Sequence, residues 1–72
     1  MDRSTALPDD VIVEFTKQGN VVRVTAFDAA TLVEACIVGP ASAGEAALER
    51  AALRKLAYVL RRRNARASAS SP

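Results

Sequence analysis

The chain has 72 residues, room for one domain and not for two. One cysteine and no histidine exclude an internal disulfide and remove the commonest zinc ligand. The net charge of +2 conceals a split: residues 1–49 hold three basic and eight acidic side chains, residues 50–72 seven basic and none acidic.

A core this small rarely supplies more than about 3–5 kcal/mol, so short chains lean on disulfides, metals or oligomerisation. Of these, self-association is the supplement left to this composition. No stretch approaches the roughly 18 apolar residues that span a bilayer. The start, Met1-Asp2-Arg3-Ser4-Thr5, lacks the apolar run of a secretion signal. A cytoplasmic location without membrane contact is expected, and one unpaired cysteine is compatible with it.

Residues 1–10 contain Pro8 and Asp9-Asp10 with little to bury, and are read as a flexible lead. Residues 11–17 alternate, with Val11, Val13 and Phe15 on one face and Ile12, Glu14 and Thr16 on the other, which predicts a strand. Gly19-Asn20 suits a type II′ hairpin turn. That loop pairs Phe15 with Val24 and Val13 with Ala26. A Gln18-Gly19 loop gives the same faces in another register, and pattern alone leaves both open. Residues 21–27 form the second predicted strand. Asp28-Ala29-Ala30-Thr31 reads as a four-residue turn, with Asp favoured at its first position. Residues 32–38 form the third strand, pairing Ala26 with Val33, Val24 with Ala35 and Val22 with Ile37. Three segments then agree on one apolar face: Val11, Val13, Phe15, Val22, Val24, Ala26, Val33, Ala35 and Ile37.

Gly39-Pro40 ends the third strand, and Ser42 with Glu45 has the spacing of a capping box. The helix is predicted over about 43–63, with Asn64 able to take the left-handed closing position. Leu48, Ala52, Leu53, Leu56, Val59 and Leu60 recur at helical spacing and form the stripe that covers the apolar sheet face. Residues 64–72, small and polar, are read as a disordered tail. The predicted fold is α+β, a three-stranded antiparallel β-meander followed by one helix on one sheet face. The domain spans 11–63.

The opposite sheet face is less polar than a solvated face should be. Ile12, Phe27 and Leu32 are expected to be neighbours across three strands, with Val21 and Val38 on the same face. These five are the candidate protein interface. Glu14, Arg23 and Glu34 lie among them and can pair across strands. The lead, through Leu7, can also fold over the patch.

The basic helix end offers a second candidate. Arg50, Arg54 and Arg61 lie close together on a helical wheel, opposite the leucine stripe, with Tyr58 to one side. Arg62, Arg63 and Arg66 extend the charge. Such a row can contact successive phosphates. Glu early and Arg late in a helix is also what dipole complementarity produces. There is no glycine-rich loop, zinc knuckle or aromatic sheet platform of a nucleic-acid reader.

No catalytic, cofactor or metal signature is found. Cys36 lies in a strand with no histidine to activate it and reads as a small packed hydrophobe. Glu14 and Glu34 flank Arg23 in a flat sheet, so charge pairing explains them better than acid–base catalysis. Ser68, Ser70 and Ser71 need no role beyond the tail.

Residues 11–63, through Glu14-Phe15-Thr16, Gly19-Asn20, Val22-Arg23-Val24-Thr25-Ala26, Ile37-Val38-Gly39-Pro40-Ala41 and Ala52-Leu53-Arg54-Lys55-Leu56-Ala57-Tyr58-Val59-Leu60, resemble a family of short uncharacterised bacterial proteins. The resemblance implies a β-meander plus helix, no activity and no functional residue to carry over. This chain departs from it over 28–32, where a glycine-containing turn is the more usual form. The expectation is a non-enzymatic interaction module with no cofactor or small-molecule substrate. It self-associates or docks on another protein through the second sheet face. The alternative is a nucleic-acid-binding protein that uses the basic helix.

Overall fold

The computed structural model describes residues 2–7 and 10–70, with side chains from 10 to 66. The elements are β1 (Asp2–Leu7), β2 (Val11–Gln18), β3 (Val21–Asp28), β4 (Val33–Pro40), a 3-10 turn (Ala41–Ala43) and α1 (Glu45–Ser70). The strands form one antiparallel sheet in the order β1-β2-β3-β4. The expected meander of three strands and a helix is therefore present as β2, β3, β4 and α1, with one further strand at the β2 edge. Residues 2–7, read as lead, supply it: Leu7 pairs with Val11 and Asp2 with Thr16. Their sequence carries no period-two signal because an edge strand is secured largely by main-chain pairing. Pro8 and Asp9 lie outside the described residues.

The β2–β3 turn is Gly19-Asn20, with Gly19 at φ +61, and pairs Phe15 with Val24 and Val13 with Ala26. The next register differs from expectation by two residues. Ala26 pairs with Ala35, Val24 with Ile37 and Val22 with Gly39. The cause is the turn, which takes in Leu32 at φ +62 and delays β4 to Val33. The Asp28 carboxylate holds this turn, accepting from the Ala30 amide at 3.1 Å and the Thr31 hydroxyl at 3.0 Å. The Leu32 amide closes it on the Asp28 carbonyl at 2.7 Å. A slip of two leaves every side chain on its face, so the expected core survives.

That core joins Val13, Phe15, Val22, Val24, Ala26 and Ala35 of the sheet to Leu48, Ala52 and Leu56 of α1. Val11, Val33, Ile37, Leu53, Val59 and Leu60 pack around it. The helix lies over β4 and β3. Gly39 permits the close approach, since a Cβ there would stand 2.5 Å from Leu48 Cδ2. α1 starts at Glu45, later than expected, because Gly44 takes φ +87 between the 3-10 turn and the helix. It also runs to Ser70, past the expected end at Arg63. Residues 64–70 are rich in Ala, with Arg among them, and contain no Gly or Pro, so nothing in them breaks a helix. Residues 71 and 72 lie outside the described residues.

Candidate interaction surfaces

Four antiparallel strands with one covering helix leave a whole sheet face open. Its cross-strand rows follow from the register: Ile12, Phe27 and Glu34; Glu14, Thr25 and Cys36; Thr16, Arg23 and Val38; Gln18, Val21 and Pro40. Apolar residues thus gather at two ends, Ile12 with Phe27 at one and Val21 with Val38 at the other. Ile12 is 39 % exposed, Val21 46 % and Val38 65 %, and Phe27 is half-buried. The middle rows are polar on β2 and β3, with Cys36 and Val38 on β4, and Arg23 stands diagonal to Glu14. Residues 2–7 of the lead do not lie across this face, because their backbone continues the sheet beside β2. Leu32 must be removed from the patch. It sits in the β3–β4 turn, 73 % exposed, and Glu34 occupies the place opposite Phe27.

The β4 edge of the sheet is blunted. Lys55 of α1 reaches across and donates to the Cys36 carbonyl at 2.8 Å. Pro40 at the strand end brings no amide hydrogen. Lysine and proline are common guards of an edge strand. The role of Lys55 was not legible in the sequence, because it depends on where α1 crosses the sheet.

The candidate arginines separate into three kinds. Arg63 falls on the sheet side of α1, and its Nη1 donates to the Thr31 carbonyl at 3.2 Å, tying the helix to the β3–β4 turn. It is a structural residue. Arg62 Nη1 donates to the Tyr58 hydroxyl at 3.0 Å, with Arg62 Cζ 5.8 Å from the ring centre. Arg50, Arg54 and Arg61 are exposed on the outer side.

Cys36 is half-buried on the open face, with Sγ 3.8 Å from the Ile37 carbonyl. Among the described residues no group of three or more His, Cys, Asp or Glu side chains could hold a metal ion. No described helix is long and apolar enough to cross a membrane.

A small α+β module with one covered and one open sheet face is the class this geometry defines. Residues 8–63 match the family model described as a domain of unknown function, DUF6898, and the chain belongs to that family. No curated protein and no solved structure matches it. The matched segment takes in β2, β3, β4 and the sheet-covering part of α1, and leaves out β1 and the end of the helix.

Proposed function

We propose that this domain is a non-enzymatic interaction module that pairs with a second copy of itself through the open sheet face. The observation that carries the reading is the arrangement of the exposed side chains, apolar at both ends and charged between. A two-fold axis lying across the strands sets the Ile12–Phe27 row of each copy over the Gln18–Val21 row of the other, so that Phe27 faces Val21. The same rotation brings Arg23 of each copy to the Glu14 row of its mate. A surface that complements itself is what an isologous dimer needs. Four strands about 4.8 Å apart and up to eight residues long make a face of roughly 500 Å². Two such faces bury about 1,000 Å², the lower limit of a specific interface. The guarded β4 edge disfavours extension of the sheet on that side. The lone Cys36 suits a reducing, cytoplasmic setting.

Sedimentation of the intact chain at tens of micromolar tests this. The wild type is expected to run as a dimer, and Phe27→Glu and Val38→Glu as monomers. Val38 is mostly exposed, so its replacement leaves the fold intact and any change reads on assembly alone. A monomeric wild type, or variants that remain dimeric, would contradict the proposal.

A further inference from the structure

The end of α1 changes what its arginines can be for. Cations stabilise a helix dipole within the last turn. Because α1 continues to Ser70, no basic residue lies in its last turn. Arg61 and Arg62 stand more than two turns before the end, so dipole complementarity does not account for them. Nor do they hold the fold, a task that Lys55 and Arg63 perform through the Cys36 and Thr31 carbonyls.

At about 100° per residue the exposed arginines other than Arg63 form two rows, one on the outer side of the helix and one on its flank next to the sheet side. Arg50, Arg54 and Arg61 lie within about 40° of one another. Arg62 and Arg66 lie roughly 100° and 140° around from Arg61. Between the rows runs a strip that includes Ala51, Tyr58 and Ala65, and Tyr58 is the only aromatic residue of α1. Both acidic residues of the helix, Glu45 and Glu49, fall on the sheet side of the wheel, so the outer arc is free of negative charge. The 26 residues of α1 span about 39 Å, whereas an eight-residue strand spans about 26 Å. The helix therefore projects past the sheet, and the molecule measures 49 × 20 × 16 Å.

We propose that this outer arc binds duplex DNA in the major groove, its two arginine rows contacting phosphates on the two walls. A single strand offers one row of phosphates and gains most from aromatic platforms, and this arc has one ring. Arginines set on two sides of a helix call for phosphates on two sides. A helix about 10–12 Å across fits the roughly 12 Å major groove of B-form DNA. The deep, narrow major groove of duplex RNA does not admit it. Between the rows Tyr58 faces the groove floor, with the small Ala51 and Ala65 before and after it along the axis. The contacts are to the backbone, so binding is indifferent to sequence. The site lies on the side of the molecule away from the open sheet face, and so stands or falls independently of self-association.

Fluorescence anisotropy of the intact chain with a labelled DNA duplex of about two turns, across a salt series, tests the proposal. Affinity should fall with salt by about 0.9 log units per log unit of salt for each phosphate neutralised. Arg61→Ala and Arg66→Ala should each weaken binding several-fold and reduce the slope by about one. Arg63→Ala should leave the slope unchanged, since that side chain belongs to the β3–β4 turn. Circular dichroism confirms that each variant keeps its helix. The proposal is overturned if the duplex does not bind at low salt, or if Arg63→Ala costs as much as Arg61→Ala. Tighter binding to the single strand, to an RNA duplex or to phosphatidylserine vesicles would overturn it as well.

Discussion

Leu32 occupies a backbone conformation, φ +62, that a residue with a Cβ enters at a cost of about 1–2 kcal/mol. Nothing obvious offsets that cost, because the side chain is largely in solvent. The sequence marks the position indirectly, since the resemblance leads one to expect a glycine in this turn. Alternation cannot detect it: a leucine after a turn reads as the first residue of a strand, and so as part of the open face. Leu32→Gly removes the strain and gives back about 0.5–1 kcal/mol through the more flexible unfolded chain. The net expectation is stabilisation by up to about 1 kcal/mol. For a domain of this size that raises the melting temperature by a few degrees. Thermal unfolding followed by circular dichroism measures it, and a lower melting temperature would show that Leu32 makes a contact worth more than its strain. Asp28 is legible in part. Its place at a turn follows from residue preference, but the two bonds its carboxylate accepts depend on the length of the turn.

At the scale of elements, β2, β3 and β4 were legible because each alternates between a buried and an open face, and two faces can be matched across three strands. β1 was not, because Asp2-Arg3-Ser4-Thr5 offers no alternation to read. The helix stripe was legible and the helix ends were not. Asn64 is as compatible with a helix interior as with its close, and Gly44 is as compatible with a first turn as with the residue before it. The packing of α1 on β4 turns on Gly39, a residue the sequence marks only as a strand end. A methyl group there meets the Leu48 side chain in the core. Gly39→Ala is expected to cost about 1–3 kcal/mol by overpacking. Leu48→Ala alone should cost about 2–5 kcal/mol. In that background Gly39→Ala should become nearly neutral, because the atom it strikes is gone. Urea unfolding of the two single variants and the double variant measures the coupling. Additive costs would mean that Gly39 is required by its own strand and not by the helix.

At the scale of the molecule, the chain divides its surfaces by chemistry. The inner sheet face and the leucine stripe close the core, and the outer arc of α1 holds the positive charge. The open sheet face keeps apolar groups at two ends of a polar centre. The sequence conveys that a second apolar face exists but not its layout, since moving β4 by two residues exchanges Leu32 for Glu34 beside Phe27. With Leu32 gone, the Ile12–Phe27 cluster loses its third member, and Val21 and Val38, directly opposed in the expected register, become diagonal neighbours at the other end. The most direct measurement is of intermolecular nuclear Overhauser effects in a mixture of isotope-labelled and unlabelled chain. Contacts between the Phe27 ring protons of one copy and the Val21 methyl groups of another are expected, with none from Leu48 or Leu56. Intermolecular contacts confined to α1, or none at concentrations where the chain sediments as a dimer, would contradict the assignment of the open face.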